Sequence, residues 1–282
     1  MNILVTGCNG QLGNEIQLLE RQHTEHRFLN TDVEELDITD QEAVEAFVND
    51  NSIDGIINCA AYTAVDKAEN NEELCQRLNA EAPAFLAYAV NQRGGWMIQI
   101  STDYVFDGTQ YTPYQEDDDT CPNSVYGKTK LVGEFNVQKL CERSIIIRTA
   151  WLYSTFGNNF VKTMLRLGRE REQLGVVFDQ IGTPTYAHDL ASAIMTIVEK
   201  GVMPGIYHFT NEGVTSWYDF TKAIHHIAGI NGCNVQPLHT SDYPTPACRP
   251  HYSVLDKTKI KKTYGILIPH WEESLRECLA KM

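Results

Sequence analysis

Short apolar runs alternate with longer stretches of helical period through the first two-thirds of the chain. Asn2 to Val5 read as a strand and Gln11 to Glu20 as a helix. Arg27 to Asn30 form a second strand pattern, after which Thr39-Asp40-Gln41-Glu42 reads as a capping box opening a helix through Val44 and Phe47. The run Ile53 to Cys59 is apolar enough for a strand buried on both faces, and Glu72 to Asn91 carry the period of a long helix. Trp96 to Ile100 and Ser144 to Arg148 supply further strands. Strand, helix, strand, repeated, predicts an α/β fold with a doubly wound parallel sheet.

After Trp151 the pattern loosens. Gly and Pro become frequent, and apolar runs shorten to pieces such as Gly205 to Phe209 and Tyr218 to Ile227. The expected organisation is a main domain over 1–150 with later returns near 187–211, and a smaller, discontinuous α/β part drawn mainly from 151–282 that covers the substrate. No internal repeat interrupts this plan.

Composition removes several classes of function. The formal net charge of −14, with no run of Lys or Arg, opposes binding to a nucleic-acid backbone. No stretch approaches the roughly 18 consecutive apolar residues a membrane helix needs. Met1 to Val5 enter a strand directly, without the basic region and cleavage site of a secretory signal. The eight cysteines, Cys8, Cys59, Cys75, Cys121, Cys141, Cys233, Cys248 and Cys278, are scattered without a CxxC pair or zinc-ligand spacing, as expected for reduced thiols in a cytoplasmic protein.

The first turn carries chemistry. Thr6-Gly7-Cys8-Asn9-Gly10-Gln11-Leu12-Gly13 lies between the first strand and first helix, where a dinucleotide pyrophosphate would meet backbone N–H groups and the positive end of the helix dipole. Gly7 suits the tight turn, Gly10 the approach of phosphate, and Gly13 the packing of helix on sheet. The spacing is GxxGxxG rather than GxGxxG. A structural turn is the bland alternative, which the position after the first strand disfavours, so the main domain is read as Rossmann-like. Asp32, about 20 residues further on, is placed to bind the adenosine ribose hydroxyls and repel a 2′-phosphate, which favours NADH; a solvated acid in the run Asp32-Val33-Glu34-Glu35 is the competing reading. Asp37 and Ile38, set after an expected third strand, would touch the adenine edge. Cys59, Ala60, Ala61 and Tyr62, after a fourth, offer small groups beside cofactor phosphate and ribose.

Ser101-Thr102-Asp103-Tyr104 end a buried strand, and Tyr126-Gly127-Lys128-Thr129-Lys130 begin a helix. Tyr126 and Lys130 are one turn apart and share a face. A ketone reduced by hydride needs a proton on its oxygen, and a phenol can give it. An ammonium roughly 4 Å away contributes about 4 kcal/mol at an effective dielectric near 20, enough to lower the phenol's pKa by about 3. Thr102 would orient the carbonyl. Ser101 points the other way if the strand continues. YxxxK alone often marks an exposed aromatic beside a solvated lysine, but here it joins the glycine loop and the strand-end Ser-Thr.

With these residues in place the chain resembles the extended short-chain dehydrogenases, and within them the dTDP-4-dehydrorhamnose reductases. The resemblance is carried by the glycine loop, by Asn58 to Glu69, by Ser101-Thr102-Asp103-Tyr104-Val105-Phe106-Asp107-Gly108 and by Tyr126 to Lys130. Arg148 to Tyr153, Asn158 to Val161, Asp179-Gln180-Ile181-Gly182-Thr183-Pro184-Thr185 and Arg249-Pro250 continue it across essentially the whole chain. It implies reduction of the 4-keto group of dTDP-4-dehydro-L-rhamnose by NADPH or NADH, with Thr102, Tyr126 and Lys130 catalytic and Lys130 also holding the nicotinamide ribose. It further implies a sugar pocket lined by Val65, Asp103, Tyr104 and Trp151, and contacts from Asn159 and Arg249 to the nucleotide diphosphate. A core aromatic is the bland reading of Trp151, and a surface ion pair that of Arg249. Some family members hold magnesium between subunits, and a homodimer is compatible with the resemblance. Glu15 and Asp189 match the metal acids in position, but His188 stands where a second acid would help, so no metal ligand is assigned.

The same fold serves sugar-nucleotide epimerases and dehydratases. Dehydratases usually place Asp-Glu after the strand-end Thr, whereas Asp103-Tyr104 stands here. Non-catalytic regulatory subunits that bind cofactor and a partner enzyme are a further alternative, opposed by the complete Thr102, Tyr126, Lys130 set.

Overall fold

A computed structural model describes residues 1–282. Six parallel strands lie in the order Gly205–His208, Ser144–Thr149, Trp96–Thr102, Gly55–Asn58, Asn2–Thr6 and Arg27–Thr31. Their side chains alternate between two cores. Ile3, Val5, Ile57, Ile98, Ile145 and Ile147 face one side, while Leu4, Ile56, Met97 and Ile146 face the other. The helices Gln11–Leu19 and Ala187–Lys200 cover the first side. The helices Gln41–Asp50, Ala82–Gln92 and Val125–Leu140 cover the second. The strand order reverses on either side of Asn2–Thr6, and ligands of doubly wound sheets bind at such a switch, beyond the carboxyl ends of the strands.

Three expectations are corrected. No strand lies between Arg27–Thr31 and Asp37; the chain turns instead, so Asn58 ends the third strand rather than a fourth. The helix Gln41–Asp50 is capped by Asp40, whose carboxylate accepts from the Ala43 N–H at 3.1 Å, because the Thr39 hydroxyl is drawn onto Asp37 at 2.7 Å. The long helix is not uniform: Glu72–Gln76 and Ala82–Gln92 flank a π-helical turn at Arg77–Glu81.

The later segments divide between two cores. The helix Ala187–Lys200 and the strand Gly205–His208 join the main sheet, and so does a return not foreseen, with Ile260, Tyr264 and Ile266 packed into the first core. The second lobe is built on two-stranded pairings: Gln173–Val177 with Asn234–Leu238, Ile181–Gly182 with Thr215–Ser216, and Leu152–Tyr153 with Thr185–Tyr186. Its core is aromatic, with Tyr153, Tyr186, Phe220 and Trp271 among the helices Phe160–Glu170, Trp217–Ile227 and Trp271–Ala280. No helix is long and apolar enough to cross a membrane.

Candidate active site

One cleft of about 880 Å³ runs from the glycine loop to the catalytic helix, roofed by the second lobe. Gly7, Gly10, Gln11, Leu12 and Gly13 line one end, with Asp32, Asp37, Ile38, Cys59, Ala60 and Ala61 around them. Asn9 and Tyr62, both expected at the cofactor, do not line it. Asn9 instead donates its backbone N–H to Asp32 at 3.1 Å, and the Tyr62 backbone is held by Asn79.

The loop end is shaped by missing side chains. Gly7 has φ +65°, and a Cβ there would stand 2.7 Å from the Ala60 nitrogen; at Gly13 it would stand 2.5 Å from the Gly7 carbonyl oxygen. Gly10 caps the helix Gln11–Leu19 without any side-chain hydrogen bond, so no side chain claims the first-turn N–H groups. That cradle fits a dinucleotide pyrophosphate. Both carboxylate oxygens of Asp32 accept loop N–H groups, from Asn9 at 3.1 Å and Val33 at 2.9 Å, so the residue braces the turn as well as facing the cleft.

Thr102, Tyr126 and Lys130 line the other end, together with Val65, Asp103, Tyr104, Trp151, Asn159 and Arg249. Ser124 caps the helix Val125–Leu140 by accepting from the Gly127 N–H at 3.1 Å, which fixes where Tyr126 and Lys130 emerge. The electrostatics differ from the expectation. Desolvation dominates at Tyr126 and pushes its phenol well above the ordinary value, opposed by the Thr102 hydroxyl. Lys130 is not among the leading influences on the phenol, and burial outweighs it. Its own ammonium is buried, donates to the Ile100 carbonyl at 2.6 Å, and is drawn down to about 8 by that burial. The phenol is therefore held protonated, the state a proton donor to a carbonyl must start from.

Thr102 is engaged as well. Its hydroxyl donates to Asp103 Oδ1 at 3.0 Å and accepts from the Tyr104 N–H at 3.2 Å. Asp103 is 2% exposed, its Oδ2 has no partner, and burial pushes its carboxyl up to about 6. Ser101 points away from Thr102 and donates to buried Glu134. The Tyr104 ring meets the Tyr126 ring edge-on at 5.5 Å. Arg249 donates to the Tyr104 hydroxyl at 3.1 Å and pairs with Asp66 at 2.6 Å, so this cation is tied to the cleft wall. Asn159 donates to Gln11 at 3.0 Å and to the Ser154 carbonyl at 2.7 Å, which ties the second lobe to the glycine loop.

Several residues of the site were not foreseen. Trp217 is one: the expected Trp151, at φ +49°, stacks on it with ring centroids 3.4 Å apart, and both line the cleft. No sequence spacing links the two tryptophans. Leu78 enters the cleft from the π-helical turn, and buried Asn79 beside it binds both the Tyr62 backbone and Thr129 of the catalytic helix. A lone Asn inside an apolar helical run was the available signal. Of the acids matched to a metal, Glu15 binds Ser154 at 2.6 Å and His188 at 3.1 Å, and Asp189 binds Asn211 and Ser274.

The chain matches the family model described as the RmlD substrate binding domain over residues 1–282. It is 42% identical to a dTDP-4-dehydrorhamnose reductase of Aggregatibacter actinomycetemcomitans, over 99% of this chain and 98% of the relative. Among solved structures, a dTDP-4-dehydrorhamnose reductase from Clostridium acetobutylicum is 46% identical with TM-score 0.95, covering 100% of both chains. One from Bacillus anthracis, solved in complex with NADP, is 39% identical with TM-score 0.96, covering 100% of this chain and 99% of the other.

Proposed function

Because this chain belongs to the dTDP-4-dehydrorhamnose reductase family, we propose that it reduces the 4-keto group of dTDP-4-dehydro-L-rhamnose to give dTDP-L-rhamnose at the expense of a reduced nicotinamide cofactor. The observation that carries this reading is the convergence of Thr102, Tyr126 and Lys130 on the cleft that the glycine loop opens.

Bound along that loop, the nicotinamide cofactor supplies the hydride. The residues of the chain supply position and a proton. The first-turn N–H groups of Gln11–Leu19 bind the pyrophosphate, and Ile38 with Asp37 borders the adenine. Lys130, charged below about 8, holds the nicotinamide ribose and keeps positive charge beside the phenol as it gives up its proton. Tyr126 protonates the carbonyl oxygen as the carbon is reduced. Thr102 turns its hydroxyl from Asp103 to the same oxygen and fixes its angle. The stacked pair Trp151 and Trp217, with Val65 and Tyr104, packs against the sugar, and Arg249 faces the diphosphate. Asp32 disfavours a 2′-phosphate, so NADH is accepted at least as well as NADPH. The relative solved with NADP binds the phosphorylated form, and both cofactors belong in the assay.

The test is a panel of dTDP-, UDP- and GDP-linked 4-keto sugars, followed by loss of reduced-nicotinamide absorbance. Net oxidation of cofactor with the dTDP-linked ketone in excess is expected. Interconversion of sugars without net oxidation would instead indicate an epimerase.

A further inference from the structure

Beneath the catalytic end of the cleft lies a polar cluster that the proposed reaction does not use. Glu134 and Arg148 are each 2% exposed. Arg148 Nε donates to both Glu134 oxygens at 3.0 and 3.2 Å, and its Nη2 donates to Oε2 at 2.8 Å. Ser101 donates its hydroxyl to the same carboxylate. The sheet register sets Ser101 directly beside Arg148 on the neighbouring strand.

Glu134 lies one helical turn beyond Lys130 on the same helix. Lys130 grips the strand end through the Ile100 carbonyl, and Glu134 grips it through the next side chain, Ser101. One helix face therefore holds two consecutive residues of the strand that delivers Thr102. A buried ion pair is poor value as a source of stability, since apolar residues of equal volume often do as well. A role in setting charge at the site accounts for it better.

We propose that Glu134 is a positioning residue for the reduction, keeping the Lys130 ammonium charged inside the protein while it locks Thr102, Tyr126 and Lys130 in register. This rests on the reading that Tyr126 and Lys130 serve carbonyl reduction. The ionisable groups that act on Lys130 are Glu134 on its own helix, Cys75 from the helix Glu72–Gln76 and Cys59 after the third strand, with Arg148 behind Glu134 and Tyr126 one turn before Lys130 on the same helix. Burial pushes both thiols up and keeps them neutral. Glu134 is then the anion that opposes the desolvation of Lys130, and Arg148 moderates it.

The experiment compares pH profiles of kcat/KM for wild type, Glu134→Gln and Arg148→Gln, with cofactor affinity and Tm measured for each. Glu134→Gln is expected to move the alkaline limb to lower pH by at least about half a pH unit, and Arg148→Gln to move it the opposite way. Cofactor affinity is expected to stay near wild type in both. If Glu134→Gln does not fold, the double variant Glu134→Gln with Arg148→Gln, which carries neither charge, takes its place and is expected to show a lower limb than Arg148→Gln alone. Folded variants with reduced Tm but an unmoved limb overturn the proposal, because a purely structural carboxylate has that signature. A wild type that oxidises no cofactor, or a Tyr126→Phe variant of full activity, removes the underlying reading instead.

Discussion

At the glycine-loop end of the cleft the working surface is backbone: turns without side chains, an uncapped helix terminus, and a carboxylate that accepts from two loop N–H groups. At the catalytic end it is side chains, Asp103 and Lys130 buried and Tyr126 half-buried, with Tyr126 and Asp103 pushed up and Lys130 drawn down. The first end works by leaving space and N–H dipoles for an anion, and tolerates change only where a Cβ has room. The second works by holding proton-bearing groups where burial sets their charge, so its sensitivity is to charge more than to volume. Substitutions at the two ends should consequently fail in different ways.

The largest difference is expected at Tyr126. Tyr126→Phe removes only the phenolic proton, and turnover should fall at least ~100-fold while cofactor affinity from a fluorescence titration stays near wild type. Gly13→Ala should show the reverse signature. Its Cβ meets fixed backbone 2.5 Å away, so the helix must shift from the phosphate site. Cofactor affinity should weaken about tenfold or more, ~1.4 kcal/mol, while rates at saturating cofactor change less.

Asp103 sharpens the contrast through stability. Its folded pKa, about 6, lies above the ordinary carboxylate value, so its ionisation works against the fold above that pH and the penalty disappears as pH falls towards the unfolded value. Asp103→Asn should accordingly be more stable than wild type at neutral pH by ~1 kcal/mol in denaturant titrations, with the gap closing in acid. The smallest effect is expected at Asp32. Asp32→Asn should raise kcat/KM with NADPH relative to NADH only a few-fold, because the residue also braces the loop; an unchanged ratio would remove its role in cofactor choice.

The two ends also differ in how far the sequence revealed them. The loop is a local motif: its glycines, strand and helix are contiguous, and period and turn chemistry suffice to read them. The strands feeding the catalytic end were equally plain, since Ile145 to Ile147 and Trp96 to Ile98 are apolar on both faces. What escaped was set by distance along the chain. Trp217 reaches Trp151 across 66 positions, Arg249 finds Asp66 across the two lobes, and the returning helix Thr258–Tyr264 has too short a pattern to assign to the main sheet. The sign of the shift at Tyr126 was missed for another reason. A lysine one turn away on a helix shows proximity, but not that burial will outweigh it or that its ammonium will donate to a backbone carbonyl. The resemblance to dTDP-4-dehydrorhamnose reductases needed neither, because it rested on contiguous runs such as Ser101 to Gly108.

The most direct test of the chemistry at the catalytic end is the wild-type rate of cofactor oxidation with dTDP-4-dehydro-L-rhamnose, measured from mildly acid to strongly alkaline pH. The expected result is a decline as pH rises through about 8, where Lys130 loses its proton while Tyr126 keeps its own. A rate that stays level through that region and falls only where a free phenol ionises, near ~10, would contradict the assignment of that charge to Lys130.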